Sequence, residues 1–523
     1  MEKFIDSKIE ITEKKIDEIL AIGTSYDLLK RKITIGDKNA VLYFINGFCD
    51  EDVMEKVIEA LTSVKSEDIP NDKENFIANI IPYIETSDES NEYNIITAIL
   101  SGIVCLIVDG YESAFLIDAR EYPARGVEEP EKYKVLRGSR DGFVETLVYN
   151  TALIRRRIRS PEYRCEITQI GECSRTDVAI CYIEGRVDKE ALNLIKDKLA
   201  NAKIDALAMN QESLAECIYK GSWINPFPKF RYTERPDTVA ASVINGQIAV
   251  LVDNSPAAML LPTTVFDAIE EADDYYFSPL TGTYLRLARA FITIISILLT
   301  PLYLLYAVQP ELLPNWLIFT KVSDELNIPI IWQLLMLEIG VDGLKLAAIN
   351  TPNMLNTPLS LIAAIIIGEF TITTGWFVPQ TLLYMAVVAI ANFTHENYEF
   401  AYAIKFLRII LLILTAIFGL YGFIGGVIFT AVVIGMNKTI TNTSYIYPLI
   451  PLLLLLLTTY GYFPPNLTVF ALNFFLEETT SNNSPILIFL YFISLFFIIF
   501  KSFVSSLVIF RLSKFICLLY LSF

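Results

Sequence analysis

The sequence predicts an α+β/α membrane protein: a cytosolic N-terminal half of two tandem α/β subdomains, followed by a multi-pass α-helical transmembrane domain. Three observations lead there. The chain is 53% hydrophobic, with a mean hydropathy of +0.44, too apolar for a wholly soluble protein. The excess lies beyond residue 280, in runs such as "AFITIISILLTPLYLLYAV" and "ILLILTAIFGLYGFIGGVIFTAVVIGM", and a helix needs roughly 20 apolar residues to cross a bilayer core. The charged first half, finally, contains two ordered internal matches.

The N-terminus, "MEKFIDSKIEITEKKIDEIL", has neither the apolar segment nor the cleavage site of a secretory signal. The charged half is therefore expected to stay in the cytoplasm. Arg286 and Arg289, just ahead of the first apolar run, agree, because positive residues favour the inner side of a membrane.

The first internal match is between "VLYFINGFCDEDVMEKVIEAL" and "VAICYIEGRVDKEALNLIKDKL", which pairs Gly47 with Gly185 and Asp50 with Asp188. Each is an apolar strand, a glycine turn and an amphipathic helix. The glycine admits a positive φ or a close approach, and the aspartate caps the helix. The second match, "SGIVCLIVDGYESAFLIDAR" with "NGQIAVLVDNSPAAMLLPTT", pairs Gly102 with Gly246, Asp109 with Asp253, Ala114 with Ala258 and Leu116 with Leu260. Each segment is two β-rich runs about a turn, a hairpin signal. The two offsets have one sign and nearly one size, which predicts a duplication. The subdomains are placed at residues 1–135 and 136–275.

Between them stands "RGSRDGFVETLVYNTALIRRRIRSP". Asp141 is the expected N-cap of a helix whose apolar stripe is Phe143, Leu147, Ile154 and Ile158, and Pro161 stops it. Arg155, Arg156, Arg157 and Arg159 then occupy the last turn, where cations complement the helix dipole, with Glu145 and the segment "GVEEPE" as nearby counter-charges. The alternative is a basic contact for anionic lipid or an acidic partner. Nucleic acid is not expected, because its binding wants a basic domain and the formal net charge here is −17.

The transmembrane domain, residues 280–450, has candidate helices at 285–308, 329–348, 358–376, 378–393, 404–421 and 422–436. The stretch 404–436 is too long for one straight span. Gly419, Gly422, Gly425 and Gly426 within it predict a break, a close helix contact, or both. In "IPIIWQLLMLEIGVDGLKLAAI", Glu338, Asp342 and Lys345 share one helical face. A charge facing the bilayer centre costs about 2.5–3.5 kcal/mol on insertion scales. That face must lie in the interface, pair within the protein or line a polar interior. Glu369 adds a further intramembrane carboxylate.

Enzyme signatures are absent from the sequence. It has no GxxxxGK[ST] loop and no GxSxG elbow, and a single histidine, His395, excludes HExxH chemistry. In "NFTHENYEF" that histidine reads as an exposed loop residue. Cys165, Cys173 and Cys181 recur every eight residues without the paired spacing of zinc ligands, and read as buried free thiols. No cofactor and no metal are expected.

"RGSRDGFVETLVYNTALIRRRIRSP", "TDVAICYIEG", "ERPDTVAASVINGQIAVLVDNSPAAMLLPTT" and "GTYLRLAR" closely resemble the spore germination A-subunit family of endospore-forming bacteria, over residues 110 to 450. "IPIIWQLLMLEIGVDGLKLAAINTPN", "LIAAIIIGEF" and "LLYMAVVAIANFT" look like one branch of that family rather than its nutrient-receptor A subunits. The resemblance implies a non-enzymatic, multi-pass protein of the spore inner membrane with a cytosolic N-terminal domain. It further implies contact with membrane lipid and with other germination membrane proteins. The family's expected action is as a homo-oligomeric ion-channel component, or its accessory, during germination.

Two readings from other classes stand beside it. One is an ion-coupled secondary transporter using Glu338, Asp342 and Glu369, which would show inverted repeats among its membrane helices. The other is a membrane-anchored sensing or scaffold protein. The chain departs from the family at residues 451–523, an apolar tail where a polar ending is usual. A shifted reading frame in the gene or genuine extra helices would each produce it.

Overall fold

The computed structural model describes residues 4–122, 138–219, 225–322, 327–350 and 371–446. Glu369, most of the span expected at 358–376 and the apolar tail lie outside them.

The first half builds one succession of helices and strands twice. The first unit is α1 (Ile9–Leu20), β1 (Leu28–Ile35), β2 (Lys38–Ile45), α2 (Glu51–Ser63), α3 (Lys73–Asn79), β3 (Thr86–Glu89), α4 (Glu92–Leu100), β4 (Val104–Val108) and β5 (Ala114–Ile117). The second is α5 (Leu147–Arg157), β6 (Tyr163–Ile170), β7 (Thr176–Ile183), α6 (Lys189–Ala200), α7 (Asn210–Ile218), β8 (Arg231–Thr233), α8 (Pro236–Ile244), β9 (Ile248–Val252) and β10 (Ala258–Leu261). The strand orders correspond, β1-β2-β4-β5-β3 and β6-β7-β9-β10-β8, and every pairing is antiparallel.

Antiparallel sheets often leave one face to water. Here helices cover both. In the first sheet Val41, Tyr43 and Ile45 of β2 pack beneath α1 and α4, while Ala40 and Leu42 meet α2 and α3. The second sheet divides in the same way between α5 with α8 and α6 with α7. This double cover explains why "VCLIV" and "IAVLV", the strands β4 and β9, are apolar at every position and buried throughout.

The duplication extends to single hydrogen bonds. Asp50 caps α2 by accepting from the Val53 amide at 3.0 Å, and Asp188 caps α6 by accepting from Glu190 and Ala191. Asp109 accepts the first amide of α1, Ile9, at 3.1 Å, and Asp253 accepts the first amide of α5, Leu147, also at 3.1 Å. Gly102 and Gly246 turn the chain with φ of +93° and +95°, a conformation that favours glycine. The pairing of Gly47 with Gly185 is looser: Gly47 has φ +80°, whereas Gly185 is not among the positive-φ residues.

The helix expected to begin after Asp141 begins later. Its N-cap is Thr146, and its first amide is held by Asp253. Asp141 instead accepts from Arg157 and from Ser139. Phe143, Leu147, Ile154 and Ile158 are buried together as the stripe required.

After β10, two short helices, α9 (Val265–Ile269) and α10 (Asp273–Tyr276), lead into α11 (Pro279–Val308), then α12 (Ile330–Asn350), α13 (Pro379–Phe393) and α14 (Tyr398–Met436). Among the described residues, α11 and α14 are long and apolar enough to cross a membrane, and α13 is a shorter apolar helix. At 1.5 Å per residue the 30 residues of α11 extend about 45 Å. The start of α12 packs beside Tyr303 and Leu304 near the far end of α11. There too the Tyr303 hydroxyl meets that of Thr381 on α13 at 3.0 Å.

The break expected in 404–436 falls at Gly419, with φ +55° and ψ −131°. The chain doubles back there: a Cβ at Gly422 would strike the carbonyl oxygen of Leu414, and one at Gly426 the side chain of Leu411. Gln309, just past α11, accepts the Leu420 amide at 3.1 Å and so holds the turn. The returning arm ends at Asn437, whose side chain accepts from Asn225 of the first half at 3.0 Å.

Candidate functional site

Among the described residues, two of the clusters of buried charge gather residues singled out by their spacing. The first joins the two α/β units. Arg155 is 0% exposed and grips Asp27 in the first unit through Nε, at 2.6 Å, and Nη2, at 3.1 Å. It also donates to the carbonyls of Ser160 and Tyr163 and lies 4.3 Å from the centre of the Tyr163 ring. Around it, Ser25 Oγ accepts the Cys165 amide at 2.9 Å, and the Tyr26 amide donates to the Cys165 carbonyl at 2.9 Å. Burial alone would favour a neutral guanidinium, but the charge and hydrogen bonds of Asp27 raise the affinity of Arg155 for its proton.

The other arginines serve the same joint or its flank. Arg156 stacks over the Tyr122 ring at 4.3 Å, and Arg159 donates to Ser101 Oγ at 3.2 Å; both partners belong to the first unit. Arg157 pairs with Asp141 at 2.5 Å. Burial pushes the Asp141 carboxyl up, but the hydrogen bonds from Ser139 and Arg157 hold it below the ordinary range. The four arginines are therefore more than a helix-end complement. Three of them, Arg155, Arg156 and Arg159, contact the first unit. The sequence could not supply Asp27 as the counter-charge, since it lies 128 residues away.

The second cluster lies among the long helices. Glu338 is 2% exposed and takes Arg408 of α14 bidentately, Nε to Oε1 at 2.6 Å and Nη2 to Oε2 at 3.0 Å. Arg408 Nη1 donates to the Ser296 carbonyl of α11 at 3.0 Å. Lys405, one turn earlier on α14, donates to the Glu338 carbonyl at 2.9 Å and to Asp342 at 2.5 Å. Three helices thus meet at one charged knot. Lys345 does not join it: its ammonium stands over the rings of Phe393, at 4.7 Å, and Tyr402, at 5.7 Å. The Glu–Lys pair joins packed helices, with Lys405 of α14 and not Lys345 as its cation.

Spacing on α12 pointed to Glu338 and Asp342 but not to their partners. The missed signal was available: "AIKFLRIILLIL" places Lys405 and Arg408 three apart inside an apolar run, a complement to two carboxylates four apart.

Where the first half meets the helices, Arg289 pairs with Glu271 at 2.6 Å and with Asp274, and Arg286 with Glu270 at 2.7 Å. Burial raises the Glu271 carboxyl above its usual range despite Arg289. His395, expected as an exposed loop residue, is instead 6% exposed, and among the described residues neither ring nitrogen has a hydrogen-bond partner. Its ring meets that of Phe400 edge-on at 5.4 Å. Of the three cysteines, Cys165 and Cys181 are buried with their sulfurs 3.2 Å apart, whereas Cys173 is exposed.

Burial, followed by the nearby charges of Arg289 and Lys345, lowers the His395 pKa from 6.5 to about 4. Between those values the unfolded chain binds a proton that the folded chain refuses, so stability rises with pH across the window. The stabilisation is complete above pH 6.5 and is lost as pH falls toward 4. At 1.36 kcal/mol per unit the effect is on the order of 3 kcal/mol. Thermal unfolding at pH 7 and pH 4.5 should show a loss in the native chain that is smaller in His395→Phe; equal losses would place the acid sensitivity elsewhere.

Residues 14–459 match the family described as Bacillus/Clostridium GerA spore germination protein. The chain is 40% identical over 439 residues to stage V sporulation protein AF of Bacillus subtilis (strain 168), covering 83% of this chain and 87% of that relative. It is 29% identical to spore germination protein A1 of the same organism, covering 76% and 82%. Among solved structures, the N-terminal domain of the A subunit of the Bacillus megaterium spore germinant receptor GerK3 aligns at 25% identity with a TM-score of 0.38, over 49% of this chain and 96% of that one. The family match over residues 14–459, together with 40% identity across most of a relative's length, establishes that the chain belongs to the GerA spore germination protein family.

Proposed function

We propose that the chain is a multi-pass protein of the spore inner membrane that acts in germination beside other germination membrane proteins, as a component of an oligomeric ion pathway or as its accessory. The α/β pair then faces the cytosol. Its likeness to stage V sporulation protein AF supports the setting, and Arg286 and Arg289 near the start of α11 support the orientation.

The observation that carries the membrane reading is that the long helices bury polar and charged side chains among themselves while leaving large apolar ones outside. On α11 the buried face holds Arg289, Thr293, Ser296 and Thr300, while Leu287, Phe291 and Ile294 are exposed. On α14 Lys405, Arg408 and Thr415 turn inward, while Phe406, Ile410, Ile413 and Ile417 turn out. Buried polar groups with an apolar exterior suit a lipid environment, whereas large exposed apolar patches are rare on soluble monomers.

For ion passage, Glu338 and Asp342 divide the work. Glu338 is sealed between Arg408 and Lys405 and holds helices together. The Asp342 side chain retains 30% exposure, and a partly wetted carboxylate attracts cations. The protein carries out no catalysis in this reading. The full chain reconstituted in liposomes tests it. Asp342→Asn should lower cation conductance several-fold with assembly intact, whereas Glu338→Gln should impair assembly itself. Unchanged conductance and ion preference in a well-assembled Asp342→Asn protein would remove that residue from the pathway.

A further inference from the structure

Where the returning arm of α14 reaches the second α/β unit, an open cavity of about 780 Å³ is lined by Lys198, Lys229, Lys438, Asn437 and Tyr219, with Met436 at its edge. From these residues we infer a binding site for a phosphate-bearing anion, a use that goes beyond the germination reading above.

Three features of the cavity carry the inference. The first is uncompensated charge. None of the three lysines pairs with a carboxylate among the described residues, although the chain as a whole carries −17. Lys229 is only 5% exposed. Its ammonium donates to Asn437 Oδ1 and to the Lys438 carbonyl, both at 2.5 Å, and lies 5.6 Å from the Tyr219 ring. A buried ammonium without a counter-charge is costly, and burial lowers its pKa to about 8. Lys198 is shifted downward by burial as well. A bound anion would offset both penalties.

The second is an idle donor. Asn437 is 7% exposed, and its oxygen accepts from Asn225, Lys229 and its neighbour's amide. Three donors fix that oxygen, so Nδ2 is the atom left over, and it has no partner among the described residues. Buried polar groups are almost always satisfied, and an unused N–H among three ammonium groups calls for an acceptor-only ligand. Phosphate oxygens supply such acceptors.

The third is position. The cavity sits at the end of α14, between the exposed apolar Met436 and the polar first half. That is the level of a lipid headgroup if α14 lies in a bilayer. A phosphate group can reach the site on a lipid or free in solution, and the chemistry of recognition is shared. The lipid source rests on the membrane reading; the free source does not.

The purified full chain in neutral detergent is titrated separately with inorganic phosphate, phosphatidylglycerol and phosphatidylcholine. Bound ligand is counted by native mass spectrometry. The comparison is between native protein, Lys198→Gln/Lys438→Gln, and Lys56→Gln/Lys189→Gln, which removes the same charge from residues that do not line the cavity. Saturable binding of phosphatidylglycerol over phosphatidylcholine that weakens roughly thirtyfold only in the first variant, at about one phosphate-type contact per lysine, assigns a lipid headgroup. Saturable binding of inorganic phosphate with the same dependence assigns the free anion. No saturable binding to native protein, or binding equal in both variants, overturns the site.

Discussion

Arg408→Met is expected to cost the helical bundle roughly 3–5 kcal/mol, because it leaves a buried carboxylate without its counter-charge. Glu338 would keep only Lys405, whose ammonium lies 3.4 Å from it and is shared with Asp342. The Ser296 carbonyl would also lose its donor, so the contact of α11 with α14 weakens as well as that of α12. Removing both partners should do less harm than removing one: Arg408→Met/Glu338→Met replaces an ion pair by apolar volume, which is often near neutral. Thermal midpoints of the single and double variants in one detergent measure the difference. A double variant no better than the Arg408 single would mean that Glu338 is stabilised chiefly by something other than Arg408.

Arg155→Met is the second large effect, again of roughly 3–5 kcal/mol, but it should appear in the α/β half. Asp27 would be left buried with only the Ser25 hydroxyl, at 2.8 Å, as a donor to its side chain. Arg156→Ala should cost less, about 0.5–1 kcal/mol, for an exposed cation–π contact. Denaturant unfolding of Arg155→Met, Asp27→Asn and their combination forms a double-mutant cycle. Additive losses would show that the pair is not coupled, and the joint between the units would then rest on its apolar contacts alone.

Much of the fold was legible because it depends on local pattern. Strand, glycine, acidic cap and amphipathic helix are all short-range signals, and their recurrence gave the duplicated units. The break at Gly419 was legible for the same reason: four glycines lie within eight residues of an apolar run too long for one span. What the sequence concealed is long-range pairing. Arg155 announced itself as part of a cluster, but its counter-charge is a lone Asp27 in a loop of the other unit, with no periodicity to mark it. Glu338 and Asp342 were legible as a polar face, while Lys405 and Arg408 were hidden inside an apolar run. His395 was misplaced because "NFTHENYEF" is polar by composition, yet tertiary packing buries the ring against Phe400. Asp141 had the chemistry of an N-cap and the right distance from the stripe; the tertiary bond that the Leu147 amide donates to Asp253 set the start of the helix instead.

That bond and its twin have a consequence for the ancestry of the half. Asp109 and Asp253 sit in the turns of the final hairpins, β4–β5 and β9–β10, and each holds the opening amide of its own unit's first helix. The neighbouring amides, Gly110 to the Ser7 carbonyl and Asn254 to the Glu145 carbonyl, repeat the tie at 2.8 Å. The head of each unit is therefore fastened to the turn of its own final hairpin, so each unit carries its own closure. A module closed in this way can be copied in tandem without severing any strand pairing. Asp109→Ala and Asp253→Ala should each speed amide exchange at the start of the first helix of its own unit and leave both sheets protected.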